Sequence, residues 1–173
     1  MVVTNDDRMA ERARSFRNLC FRPEKRFYHT ELGYNFRMTN MQAALGVAQT
    51  ERIQESVALK RRLGEYYRKR LADIQGVRFA PEKSWAKTVY WMYAVEIDPA
   101  TGLNAEIVMK KLDERGVGTR PFFMGLHEQP VFHDMELFRG ERYPNAERAY
   151  RQGLYLPSGM ALTESQIDIA SAE

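Results

Sequence analysis

Two stretches hold the residues whose types and spacing suit chemistry. The first is a loop from Phe21 to Tyr34, marked by Pro23 and Gly33, in which Arg22, Lys25 and Arg26 stand beside Phe27, Tyr28 and His29. Cations interleaved with aromatic rings suit a nucleotide or a single-stranded nucleic acid, which offer phosphates and stacking faces together. The same pattern also reads as a solvated loop with one aromatic ring tucked inward. The second stretch is Gly33-Tyr34-Asn35-Phe36-Arg37-Met38-Thr39-Asn40-Met41-Gln42-Ala43-Ala44-Leu45-Gly46. It holds a turn signal, two polar groups in Asn35 and Arg37, and the start of a helix. Thr39 followed by Gln42 is a capping box, in which each side chain satisfies an orphan backbone N–H of the other.

The other reactive types point elsewhere. His29, His127 and His133 have no metal-ligand spacing with cysteine or carboxylate partners, so no metal site is expected. Cys20 shares a helical face with Met9, Ala13 and Phe16, which makes it a small core residue rather than a nucleophile.

The elements that must position these residues follow in order. Met1 to Thr4 reads as a short strand, and Asn5 or Asp6 caps the helix after it. From Met41 the apolar spacing of Leu45, Ala48, Ile53, Val57, Leu63, Tyr67, Leu71 and Ile74 predicts one long helix to about Ile74, with Gly64 marking a bend. Its cations, from Lys60 to Arg70, read as a solvated face. Val77 to Phe79 is a short strand. Thr88 to Ile97 alternates, with Val89, Trp91, Tyr93, Val95 and Ile97 on one face, and reads as a longer strand. Asn104 caps a helix that stops at Gly116. Gly118 to Phe123 is extended, Pro144 starts another helix, Leu154 to Pro157 is a strand, and Thr163 with Gln166 repeats the capping-box spacing for a last helix. Strands and helices thus alternate after the long helix, which predicts a small α/β domain of about three strands with helices on one face.

Composition bounds the partners. The 173 residues are 44% hydrophobic and carry a net charge of +3, with a pI near 9.0. That balance fits an anionic substrate or phosphate cofactor as well as a nucleic acid, and no helix-turn-helix, zinc or single-strand-binding motif backs the latter. A single cysteine excludes an internal disulfide and suits a reducing compartment. No apolar run approaches a membrane span and no signal-peptide pattern opens the chain, so a soluble cytoplasmic protein is expected.

The run Gly33 to Ala44 resembles the signature of the DegT-type aminotransferases, pyridoxal-phosphate enzymes of sugar-nucleotide metabolism, with the perosamine-synthase-like group nearest. Met1 to Asp6, His29 to Met38, Gly116 to Phe123 with Leu126-His127 and Gln129-Pro130, and Tyr155 to Pro157 extend the resemblance over almost the whole chain. It implies the C-terminal portion of a fold type I enzyme: residues 1–38 as the tail of the large cofactor-binding domain with a partner-reaching loop, and 39–173 as a long linking helix and small α/β domain. By resemblance, Asn35, with Arg37 nearby, reaches the cofactor phosphate of the other subunit of a homodimer, both being good phosphate donors. Tyr28, His29, Arg120, Phe122 and His127 carry over as lining of the sugar-nucleotide pocket. The implied reaction converts a nucleotide-linked keto-sugar to an amino-sugar, with an amino acid such as glutamate as donor and neither nucleic acid nor membrane as partner. The family's Schiff-base lysine is implied upstream of Met1. None of Lys25, Lys60, Lys69, Lys83, Lys87, Lys110 or Lys111 stands in its context, so no residue is assigned a catalytic role and the isolated chain is expected to be inactive. A non-catalytic dimerisation module and a basic nucleic-acid-binding protein are the alternatives.

Overall fold

A computed structural model describes residues 2–173, which divide into two units, one ending at Arg52 and the other running from Ile53 to Glu173.

The first unit holds two helices. Helix α1 (Asp7–Arg17) starts where the Asp6 side chain accepts the Met9 N–H, and it buries none of its residues. Helix α2 (Asn40–Glu51) opens on the Thr39–Gln42 capping box, with both reciprocal bonds formed. It too has no buried residue; Met41 is 81% exposed. Residues 2–4 form no strand, contrary to expectation, and Met1 lies outside the described residues. Cys20 is buried, as expected, but beyond the end of α1, where its Sγ donates to the Leu32 carbonyl at 3.5 Å.

The expected long helix is two helices. The break falls at Arg52, whose backbone (φ −105°, ψ 11°) leaves the helical register, and helix α3 (Ile53–Leu71) begins directly after it. Just ahead of the break the Thr50 hydroxyl bonds back to the Gly46 carbonyl at 2.8 Å, a bond that bends helices by competing for the backbone acceptor. Gly64 marks no bend. A methyl group there would lie 2.6 Å from the Tyr90 ring, so its missing side chain makes room for close packing.

The second unit is built on an antiparallel sheet of β1 (Val77–Phe79), β2 (Tyr93–Ile97), β3 (Arg120–Pro121) and β4 (Gly153–Leu156), in the order β1-β2-β4-β3. Tyr93 pairs with Leu156 and Val95 with Leu154, so the inward residues of neighbouring strands share a face. Against that face pack Leu63, Tyr67 and Leu71 of α3, Ala105 and Leu112 of helix α4 (Ala105–Asp113), and Ile167 and Ala170 of helix α7 (Glu164–Ala172). The Tyr67 and Tyr93 rings stack at 4.6 Å. Polar ties join α3 to α7: Tyr66 donates to Asp168 at 2.9 Å, and Arg70 pairs with the same carboxylate. The second strand is shorter than expected. Val89 and Trp91 are exposed, and Tyr90 takes a left-handed backbone (φ +48°) that ends the alternation before β2 begins. Between β3 and β4 lie two helices, the short α5 (Pro130–Asp134), which the sequence pattern did not reveal, and α6 (Pro144–Gln152).

Candidate functional site

In the first unit the chain reverses sharply after α1. Leu19 and Cys20 both have positive φ, +60° and +50°. Such a turn is rarely adopted by residues with side chains and persists only where the surroundings over-determine it. The returning segment supplies that constraint. Gly33 passes so close that a methyl there would sit 2.7 Å from the Leu19 Cα and nearer still to the adjoining backbone atoms. Tyr34 donates its N–H to the Phe16 carbonyl at 2.7 Å and accepts from the Leu19 N–H at 3.0 Å, and Phe36 donates to Arg17 at 3.1 Å. Asn18 and Asn35 form the bridge between them. Along this extended segment the Tyr34 and Phe36 rings stack at 5.1 Å, nearly parallel. Alternation therefore sends Asn35 and Arg37 the other way.

Asn35 is exposed, and its side-chain amide has no hydrogen-bond partner among the described residues. Arg37 is also exposed, its Nη1 donating to the Asn18 Oδ1 at 3.1 Å. One amide and one guanidinium, held on the same side of a backbone-fixed segment, are a donor set that fits a phosphate ester.

The basic and aromatic residues of the preceding loop mostly engage one another. Arg26 lies over the Phe21 and Phe27 rings at 5.3 and 5.1 Å, Lys25 lies over Tyr28 at 4.7 Å, and Arg22 donates to the Thr30 hydroxyl at 2.6 Å. His29 donates from Nδ1 to the Leu19 carbonyl at 2.9 Å, which fixes the tautomer and leaves Nε2 as acceptor. Tyr28 stays half exposed at 52%.

In the second unit Arg120 and Phe122 sit at the β3 edge. Arg120 pairs with Tyr155 across the ladder, is exposed, and has no side-chain partner among the described residues. The Phe122 ring lies 4.5 Å from that of Tyr155 and occupies the space a side chain at Gly153 would need. A cation beside an aromatic pair can hold an anionic group and a flat or apolar ring together.

His127 is placed differently. It is 7% exposed, in a 3₁₀ turn from Leu126 to Glu128, with Nε2 3.4 Å from the Glu147 Oε1 and the Tyr143 ring edge-on at 4.8 Å. Glu147, buried on α6, takes three bonds from Arg142 at 2.8, 2.9 and 3.2 Å and the Tyr143 N–H at 3.0 Å. The Arg142 bonds first, then that backbone bond, hold its carboxyl down at about 2. His133 Nε2 donates to the His127 carbonyl at 2.6 Å, and Arg151 of α6 pairs with Glu128. His127 is thus an interior fastener of the turn that follows Arg120 and Phe122. Sequence reasoning singled out neither Glu147 nor Asn18 or Tyr155 as part of these arrangements. Asn18 and Tyr155 work through partners distant in sequence, so no local spacing reveals them, whereas Glu147 is held by Arg142 and Tyr143, five and four residues before it. Among the described residues no group of histidine, cysteine and carboxylate side chains could hold a metal ion.

Comparison with known proteins bears on this geometry. The model of the DegT/DnrJ/EryC1/StrS aminotransferase family matches residues 1–172. The chain is 34% identical to a GDP-perosamine synthase of Caulobacter vibrioides over 97% of its own length and 45% of that protein's. It is 32% identical to the putative pyridoxal phosphate-dependent aminotransferase EpsN of Bacillus subtilis, over 96% of this chain and 42% of the relative. The crystal structure of DesI, solved in the presence of its TDP-sugar product, superposes with a TM-score of 0.79 at 31% identity, covering 98% of this chain and 43% of DesI. The chain therefore spans less than half the length of each of these relatives.

Proposed function

We propose that this chain, which belongs to the DegT/DnrJ/EryC1/StrS aminotransferase family, is the C-terminal part of a sugar-nucleotide aminotransferase. The whole enzyme converts a nucleotide-linked keto-sugar to an amino-sugar, with an amino acid such as glutamate as donor. The observation that carries this reading is the backbone-fixed segment from Gly33 to Arg37, which presents an unpartnered Asn35 amide beside Arg37. The cofactor of the family is pyridoxal phosphate, which when bound supplies the electron sink that amino-group transfer needs.

This chain's own residues do the holding. Asn35 and Arg37 donate to the cofactor phosphate, and in a homodimer they do so for the partner's site. Tyr28 and His29 in the first unit, and Arg120 and Phe122 in the second, contact the nucleotide-sugar: Arg120 as the cation for an anionic group, Phe122 and Tyr28 as aromatic surfaces. His127 contributes by fixing the turn behind Arg120 and Phe122. The proposed setting is the cytoplasm; among the described residues no helix is long and apolar enough to cross a membrane.

The test is to incubate the whole protein with GDP-, UDP- and TDP-linked keto-sugars, glutamate and pyridoxal phosphate, and to follow products by mass spectrometry. A nucleotide-linked amino-sugar that forms only when both glutamate and the cofactor are present is expected. Failure of every keto-sugar to react, with no cofactor bound, overturns the reading.

A further inference from the structure

We propose that the second unit carries a binding site for an aromatic monocarboxylate, in a cavity of about 310 Å³ beside the start of β2. Its walls include Arg68, Phe79, Lys87, Tyr90, Met92 and Tyr93, none of which is assigned to aminotransfer above. The volume lies at the small end of ligand sites and suits a one-ring molecule.

The first observation is a polar group without a partner. Tyr93 is 3% exposed and lines the cavity, yet its hydroxyl has no hydrogen-bond partner among the described residues. The hydroxyl keeps contact with solvent at the cavity wall, so a ligand entering there can reach it. Burial raises the Tyr93 phenol well above its ordinary range, so at neutral pH it is a donor awaiting an acceptor.

The second observation is charge. Arg68 rests its guanidinium on the Phe79 ring at 5.5 Å, and neither it nor Lys87 has a carboxylate partner among the described residues. The acid on the wall, Glu82, is already engaged in accepting the Thr88 N–H at 3.1 Å. Two cations and one phenol hydroxyl, all donors, call for an anion.

The third is that the wall is held in place from several sides. Gly64 gives the Tyr90 ring its seat, and Tyr90 is kept at φ +48° with its N–H on the Thr88 hydroxyl at 3.2 Å. Arg61 Nε holds the Thr88 carbonyl at 2.9 Å. A non-glycine residue fixed in that backbone region marks strain that the surroundings maintain. Phe79, Tyr90 and Met92 offer the apolar faces for a ring, while Arg68, Lys87 and the Tyr93 hydroxyl take the carboxylate oxygens.

The experiment titrates the full 173-residue chain with benzoate and follows the Met92 methyl and Tyr93 ring signals by nuclear magnetic resonance. Benzamide serves as the neutral isostere and acetate as the ringless anion. Saturable shifts at Met92 and Tyr93 with benzoate are expected, with benzamide and acetate at least about tenfold weaker. Arg68→Gln and Lys87→Gln should each weaken benzoate by about tenfold or more, and Tyr93→Phe, which keeps the stacked ring, by severalfold. Absence of a saturable shift, benzamide binding as tightly as benzoate, or unchanged affinity in both cation variants overturns the site.

Discussion

Gly33→Ala tests whether the close backbone approach in the first unit is what presents Asn35. The added methyl would sit 2.7 Å from the Leu19 Cα. Carbon atoms in ordinary contact stay about 3.5–4.0 Å apart, so the segment must withdraw by about 1 Å. The obstacle is backbone on both sides, so no side chain can rotate out of the way. Withdrawal stretches the Tyr34 N–H bond to Phe16 and the Leu19 N–H bond to Tyr34, now 2.7 and 3.0 Å, beyond useful length. At about 1 kcal/mol for each bond, the local loss is about 2 kcal/mol, which falls within the usual cost of overpacking. Amide hydrogen exchange reads this directly: the Leu19 and Tyr34 amides should exchange about thirtyfold faster. Gly46→Ala is the control with opposite sign. Nothing lies within 4 Å of that position on α2, so alanine should only strengthen the helix, by about 0.5–1 kcal/mol. Exchange at Leu19 and Tyr34 unchanged in Gly33→Ala would refute the reasoning, because the methyl would then have found room the packing denies it.

Three further outcomes are expected. Tyr67→Phe removes a hydroxyl that is buried without a partner, its phenol pushed up to about 12 by burial, and should raise the thermal midpoint, by about 1 kcal/mol of stability; a lower midpoint would reveal a bond to that hydroxyl. The Glu147 carboxyl titrates near 2 in the fold against an ordinary 4.5, so its contribution is whole above about 4.5 and is lost as pH falls toward 2. Glu147→Gln should therefore flatten the acid limb of a denaturation–pH curve, and an acid limb of unchanged slope would contradict the assignment. In the whole enzyme, Asn35→Ala should weaken cofactor affinity by about ten- to a hundredfold. In a mixed dimer whose other subunit lacks the Schiff-base lysine, the one intact site receives a normal Asn35 from its partner, so near-wild-type affinity is expected there; affinity as poor as in the Asn35→Ala homodimer would place the contact within its own chain.

What was legible in the sequence is what is decided locally. Thr39 with Gln42, and Thr163 with Gln166, form both bonds of their capping boxes because the partners lie three residues apart. Leu63, Tyr67 and Leu71 are buried as their helical spacing requires. The break at Arg52 was not legible, since apolar spacing runs across it and the Thr50 hydroxyl bond just ahead of it leaves no mark on that spacing. Nor was the shortening of β2. Val89 and Trp91 continue the alternation in sequence, but Tyr90 turns the backbone to fill the hollow at Gly64, a contact made across 26 residues. The antiparallel order of the sheet, and the burial of His127, likewise depend on partners that no spacing announces.

The two groups of candidate site residues are held by different physics. Asn35 and Arg37 are aimed by main-chain bonds and by the absence of a side chain at Gly33, so their placement is indifferent to ionisation. The turn behind Arg120 and Phe122 is fastened by Glu147, Arg142, Arg151 and Glu128, all charged, with His127 in contact. Such a network holds while Glu147 and Glu128, the members shielded from water, stay ionised, and it slackens when acid neutralises them and their bonds to the exposed Arg142 and Arg151 are lost. The turn behind Arg120 and Phe122 is therefore the element that acid loosens, and the segment from Gly33 to Arg37 is the one that a single methyl disrupts.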